Sequence, residues 1–240
     1  MANTFFQFKQ FTVDQAHCAM KVCTDACIQG AYTARYLNGS DITAPAILDI
    51  GAGTGLLSLM LAQQIPAVIT AVELDTAAAG QAAANFSSSP WADRLLLTEQ
   101  DVRKMDGPAA YDFIITNPPF YESALKSGHA QKDQAMHATS LGYRELLQAI
   151  DRLLLPQGEF SVLLPAVQFK EFEQLAAGAG FHPARVLQVR QSVNHGYFRT
   201  VGIFNRTAGA LQTGELAIYN EHNVYTSAFA DLLQPYYLYL

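Results

Sequence analysis

The sequence predicts an α/β protein built on a mostly parallel sheet, with an antiparallel hairpin strand towards the C-terminus and an N-terminal extension. Three observations predict it. Short apolar runs alternate with helix-patterned or loop segments from residue 46 to 120, an order that right-handed crossovers turn into a parallel sheet. The first run, Ala46 to Ile50, enters the glycine turn Gly51-Ala52-Gly53-Thr54-Gly55 and then a helical pattern of Leu56, Leu57, Leu59, Met60 and Leu61. The runs Arg185 to Val193 and Tyr197 to Asn205 are β-rich and joined by Asn194-His195-Gly196, which reads as a hairpin.

The elements follow in order. Residues 1–45 form the extension, with a strand or loop at Phe5 to Phe11 and a helix from Thr24 to Leu37 that starts at Thr24 or Asp25. Residues 46–240 form the main domain, compact with the extension. Its second strand, Ala67 to Val72, ends at Glu73-Leu74-Asp75, and Asp75 caps a helix from Thr76 to Phe86. A third strand, Leu95 to Thr98, precedes Glu99-Gln100-Asp101-Val102. The fourth, Tyr111 to Thr116, runs into Asn117-Pro118-Pro119-Phe120. Tyr121 to Ser140 is long, polar and rich in Lys, Gln and His, the character of a functional loop, and it reads as a substrate-ordered lid. Leu141 to Leu154 is an amphipathic helix, Glu159 to Leu164 the fifth strand, and Phe169 to Ala179 a helix ended by Gly180. Glu215 to Leu240 adds a strand and a terminal helix, with Tyr236, Tyr237 and Tyr239 read as core packing.

The glycine turn has the spacing G-x-G-x-G. A dinucleotide fingerprint needs glycine where Leu56 stands, which argues against NAD. Gly51, Gly53 and Gly55 allow positive φ and close approach of the backbone to a ligand. A methionine-based cofactor has no pyrophosphate but carries an ammonium group, which Asp49 beside the turn can attract directly or through water. The pattern points to S-adenosyl-L-methionine. Glu73, about 20 residues past the turn, can accept hydrogen bonds from ribose hydroxyls. Asp101, at the third strand tip, can accept from the adenine amino group, its alternative being a cap or a solvated acid.

Asn117-Pro118-Pro119-Phe120 is the most informative segment. An exocyclic amine conjugated to a ring or carbonyl has a delocalised lone pair and is a poor nucleophile. The Asn117 side-chain oxygen and the Pro118 carbonyl can both accept its hydrogens, which favours a pyramidal nitrogen and frees the lone pair. Pro119 adds no competing donor and stiffens the turn. Phe120 offers a face for a planar base. The alternative, an ordinary strand-ending Pro-Pro turn, leaves the glycine turn and Glu73 unexplained.

Composition bounds the rest. A chain of 240 residues, half of them hydrophobic, fits one α/β domain with appendages. Its net charge of −6 does not favour nucleic acid, since phosphate contacts need local positive potential. A local patch remains open, with Lys126, His129 and Lys132 or Arg185, Arg190, Arg199 and Arg206 as its candidates. Gln63, Gln64 and Pro66 interrupt the best apolar stretch, and the N-terminus lacks a basic segment followed by an apolar run. No membrane partner and a cytoplasmic location are expected. Cys18, Cys23 and Cys27, beside His17, lack a C-x-x-C pair, so reduced and mostly buried thiols are expected and no metal.

Asp49 to Gly55, Glu73 and Asn117 to Phe120 together resemble the amino-methylating branch of the class I S-adenosylmethionine-dependent methyltransferases. That resemblance implies a Rossmann-like, seven-stranded sheet. Phe8-Lys9-Gln10-Phe11, followed by Cys18-Ala19-Met20-Lys21-Val22-Cys23-Thr24-Asp25, is similar to the bacterial tRNA(Val) adenine-N6 methyltransferases. The similarity continues through His137-Ala138-Thr139-Ser140-Leu141 and the Glu215 to Leu240 element. It implies N6-methylation of the adenine next to the anticodon, a tRNA anticodon loop as partner, and in-line transfer without a metal. It also implies that Lys21, Thr24 and Asp25 lie over the methionine end of the cofactor. The family carries glycine where Cys23 and Ala26 stand, a departure in local backbone rather than in chemistry. Methylation of a release-factor glutamine uses a similarly worded Asn-Pro-Pro-Tyr, and Phe120 with the N-terminal match favours adenine. A DNA adenine methyltransferase needs a larger target-recognition region, and an inactive RNA-binding relative would lack the Asn117 turn.

Overall fold

The computed structural model describes residues 3–40, 42, 44–118 and 141–240. Pro119, Phe120 and the lid read at Tyr121 to Ser140, with Lys126, His129 and Lys132, lie outside the described residues. Eight strands form one sheet: β3 (Ala46–Ile50), β4 (Val68–Glu73), β5 (Leu95–Glu99), β6 (Tyr111–Thr116), β7 (Leu154–Pro165), β8 (His182–Ser192), β9 (Tyr197–Asn205) and β10 (Gln212–Tyr219). Their order is β10-β8-β9-β7-β6-β3-β4-β5. β3 to β7 pair in parallel, and β9 runs antiparallel to both β7 and β8, as the hairpin reading expects. The tail strand extends the sheet by pairing parallel to β8, so among the described residues the sheet holds eight strands where the resemblance implies seven.

The helices are α1 (Thr24–Asn38), α2 (Leu56–Gln64), α3 (Thr76–Ser87), α4 (Tyr143–Leu153), α5 (Ala166–Gly178) and α6 (Ser227–Leu233). Ile47 and Leu48, neighbours on β3 that point to opposite faces, are both fully buried. That is why the central strands read as continuous apolar runs rather than alternating ones. One core layer joins Ile47, Phe113 and Ile115 to α1, α2 and α6. The other joins Leu48, Ile50 and Ile114 to α4 and α5. The amphipathic reading of α4 holds: Leu146, Leu147, Ile150 and Leu153 are buried while Arg144, Asp151 and Arg152 face out.

The N-terminal segment is a hairpin of β1 (Phe5–Gln7) and β2 (Thr12–Asp14), with Phe8 and Phe11 stacked 4.5 Å apart at its turn and buried in the first core layer. Asn85 of α3 locks it to the glycine turn. Its amide nitrogen donates to the carbonyls of Asp14 (2.8 Å) and Thr54 (2.9 Å), and its oxygen accepts from the Asp14 N–H (2.9 Å). The tail closes over the same layer. Tyr236 is buried with its hydroxyl donating to the Met60 carbonyl at 3.1 Å, whereas Tyr239 is exposed. Cys18, Cys23 and Cys27 are free thiols. Among the described residues, no helix is long and apolar enough to cross a membrane, and no three of His, Cys, Asp or Glu gather as a metal-ligand set.

Strand order reverses between β3 and β6, with β4 and β5 on one side and β7 onward on the other. Open α/β sheets bind ligands in the crevice outside the carboxyl ends at such a reversal. Asn85→Ala removes three hydrogen bonds and leaves the buried Thr54 carbonyl and the part-buried Asp14 N–H and carbonyl without those partners. It is expected to cost about 2–4 kcal/mol in urea unfolding, more than a typical single hydrogen bond contributes.

Candidate active site

β3 and β6 are paired so that Ile50 lies opposite Thr116. The next residues, Gly51 and Asn117, therefore emerge side by side at the carboxyl edge. Thr116 Oγ1 donates to the Ile50 carbonyl at 2.9 Å and ties the two strand ends together. Gly51, Gly53 and Gly55 have φ of 72°, 56° and 78°, in the left-handed region that favours glycine. At Gly55 a Cβ would stand 2.4 Å from the Phe86 ring. At Gly51 and Gly53 a Cβ would meet none of the described residues within 4 Å, so the turn borders open space among them.

The acids occupy three different environments. Glu73, half-buried at the end of β4, accepts from the Gly53 N–H at 2.8 Å on Oε2 and from the Leu74 and Asp75 N–H groups at 2.8 and 2.9 Å on Oε1. It thus joins the glycine turn to its own strand end. Asp75 caps α3 as expected, accepting from the Ala78 N–H at 2.8 Å. Asp49 is fully buried. Its Oδ2 accepts from the Ser58 N–H (3.2 Å) and hydroxyl (2.7 Å), and its Oδ1 has no partner among the described residues. Burial pushes its carboxyl up to about 7, with the Ser58 bonds opposing. Asp101 caps the turn at Val102–Lys104 and is gripped by Arg103, whose Nε lies 3.0 Å from both carboxylate oxygens and whose Nη2 lies 2.7 Å from Oδ2. Those Arg103 bonds hold its carboxyl below the usual range. With the Arg103 N–H also bound at 2.9 Å, a further donor at Asp101 needs this clamp to release a bond.

Asn117 Oδ1 is buried and has no hydrogen-bond partner among the described residues, and Pro118 beside it is buried. Beneath the turn lies a polar cluster that sequence reading missed. Gln29 of α1 is fully buried, and its Nε2 donates to the Thr116 carbonyl at 2.9 Å and to Ser161 Oγ at 3.4 Å. Thr33 Oγ1 donates to the same Ser161 oxygen at 2.9 Å. The signal available in sequence was a polar pair four residues apart in an otherwise apolar stretch of helix, hence on one face. Lys21 Nζ donates to the Gln15 carbonyl. Thr24 opens α1, exposed, and Asp25 pairs with Arg199 of β9 at 2.7 Å.

Open space beside Gly51 and Gly53, and the unpartnered oxygens of Asp49 and Asn117, fit a nucleoside ligand with a cationic end. Comparison with known proteins agrees. The family model for the methyltransferase small domain matches residues 36–181. A tRNA1(Val) (adenine(37)-N6)-methyltransferase of Dyadobacter fermentans is 44% identical over 242 residues, spanning 98% of this chain and 98% of its own. The chain belongs to this methyltransferase family. A relative of the same name from Bacteroides fragilis is 37% identical over 241 residues, 99% of each chain. A solved predicted O-methyltransferase from Agrobacterium tumefaciens superposes with a TM-score of 0.68 at 17% identity, over 88% of this chain and 96% of that one. That likeness shows the class I methyltransferase fold, and the cofactor of this methyltransferase is S-adenosyl-L-methionine.

Two outcomes follow for its residues. Because the Asp49 carboxyl rises from 3.8 to about 7 on folding, the folded chain holds a proton that the unfolded chain releases. That contribution is fully present below about pH 4 and is lost as pH rises through about 7. The thermal midpoint of the cofactor-free protein should fall across this window, and Asp49→Asn should flatten the fall. Gln29→Leu keeps the side chain's bulk but frees the Thr116 carbonyl. Steady-state assays should show turnover lowered roughly 10- to 100-fold by the misplaced turn, with the cofactor dissociation constant held.

Proposed function

We propose that this enzyme transfers a methyl group from S-adenosylmethionine to N6 of an adenine in the anticodon loop of valine tRNA, the position 37 named for its relatives. The observation that carries this reading is the buried Oδ1 of Asn117, without a partner among the described residues and one residue beyond the strand that pairs with the glycine-turn strand. A buried acceptor without a donor is costly, and a substrate amine supplies the missing donor.

In this reading the backbone at Gly51, Gly53 and Gly55 lets the cofactor approach closely. Glu73 accepts from its ribose hydroxyls, and Asp101 from its adenine amino group once the Arg103 clamp gives way. Asp49 attracts its ammonium end, with Lys21, Thr24 and Asp25 over its methionine end. Bound S-adenosylmethionine supplies an activated methyl on a sulfonium, chemistry that needs neither a metal nor a covalent enzyme intermediate. The chain's own residues supply orientation and lone-pair localisation. Asn117 Oδ1 and the Pro118 carbonyl each take one hydrogen of the adenine N6 amine, which withdraws its lone pair from the ring. Pro119 offers no donor to compete, and Phe120 stacks on the base. An anticodon-loop adenine is unpaired, which lowers the cost of turning it into a pocket.

The direct test is methyl transfer from labelled S-adenosylmethionine to bulk tRNA from a strain lacking this gene, followed by nucleoside mass analysis. N6-methyladenosine in a valine tRNA is expected. No incorporation, with cofactor binding intact, would turn the assignment to a release-factor glutamine or to DNA. Asn117→Ala should lower turnover at least 10²-fold, the scale of losing one transition-state contact, and leave cofactor affinity nearly unchanged. Normal methylation by that variant sinks the role given to the turn.

A further inference from the structure

On the β7 side of Asn117, away from the glycine turn, the sheet edge holds a recess of about 300 Å³. It is bounded by the start of α1, the start of β9 and the ends of β8 and β10. Register relates it to the turn. Thr116 pairs with Val162, Val162 with Gly202, and Pro165 with Arg199. Arg199 therefore lies two strands across from β6 and two residues further out along the sheet than Asn117, a separation of about 12 Å. That is within reach of the nucleotides next to a base held at Asn117.

The walls suit a planar, neutral ligand. Phe198 and Tyr219 present half-buried rings, and Tyr219 is backed by Tyr225 at 4.9 Å, which in turn stacks on Phe229 at 4.7 Å. The Arg199 guanidinium lies 5.2 Å from the centre of the Phe198 ring while its Nε pairs with Asp25 at 2.7 Å. Nearby Arg190 faces Glu215 at 3.5 Å. Each of these cations is matched by a carboxylate, so the recess has little excess positive potential and is poorly suited to a phosphate. Gln191 and Thr24, both exposed, add donors and acceptors for a base edge.

We propose that this recess is a subsite for an unpaired base flanking the methylated adenine, held by stacking on Phe198 and Tyr219 and by an edge contact to Gln191. The inference rests on the RNA reading above. The competing occupant is the methionine end of the cofactor, since Thr24 and Asp25 border the same space.

The experiment uses an anticodon stem-loop, and versions abasic at either nucleotide beside the target adenine, with the wild-type chain and Phe198→Leu. Wild type is expected to lose about tenfold in affinity for one of the two abasic loops, the scale of one stacked base. Phe198→Leu should bind the intact loop about tenfold more weakly and show no further loss with that abasic loop, at unchanged cofactor affinity. A full abasic penalty in the variant, or weakened cofactor binding with RNA affinity intact, overturns the subsite. Should Phe198→Leu fold poorly, Gln191→Ala, on an exposed side chain, runs the same cycle with a smaller loss expected and the same outcomes decisive. Wild type that makes no N6-methyladenosine in the intact loop overturns the functional reading and this subsite with it. Wild-type turnover with no penalty from either abasic site overturns the subsite alone.

Discussion

The parallel pairing of β3 with β6 is the constraint on which the rest of the site depends. These strands are separated in sequence by two others, β4 and β5, and only their adjacency brings the glycine turn next to Asn117. The pairing is reinforced where it matters, by the Thr116 hydroxyl on the Ile50 carbonyl and by Gln29 on the Thr116 carbonyl. A register slip of one residue would turn Ile47 and Phe113 away from one core layer and Leu48 and Ile114 away from the other. Burial on both faces therefore fixes the chemistry at the edge.

That edge carries polar groups the core tolerates at a cost. Asp49, Gln29 and Asn117 each leave a buried oxygen without a donor. Native structures hold few such groups; among the described residues Gln63 and Arg190 carry the others, and these three sit beside or beneath one crevice. Asp49 and Asn117 are the two groups that a cationic end and an exocyclic amine would satisfy. The same strand reversal divides labour along the sheet. The glycine turn, Asp49 and Glu73 gather at the ends of β3 and β4, whereas the recess between α1 and β8 to β10 lies on the far side of Asn117.

Much of this was legible in the sequence because it depends on local pattern. Apolar runs, the glycine spacing, the Asp75 cap and the β8–β9 hairpin are set by residues within a few positions of each other and appear in the structure near their expected bounds, except that β7 begins at Leu154 rather than Glu159. The N-terminal segment was legible only as a strand or loop. Its turn chemistry is weak, and its hairpin is stabilised by Asn85, 71 residues away.

What the sequence by itself determined is the α/β class, the order of the elements and the identity of the residues at each strand tip. Tertiary structure decided what those residues face. Asp101 could be read as a ligand acceptor or a cap, and the fold engages it with the Arg103 N–H, which it caps, and with the Arg103 side chain. Asp25 reads in sequence as an acid at a helix start, yet Arg199, 174 residues away, pairs with it and makes it one wall of a recess. Gln29 reads as one polar residue in an apolar helix until Thr116, 87 residues away, supplies the carbonyl that it holds. The physical reason is the same in each case: backbone periodicity is a local property, whereas the partner that satisfies a buried charge or amide is chosen by which distant segments pack together.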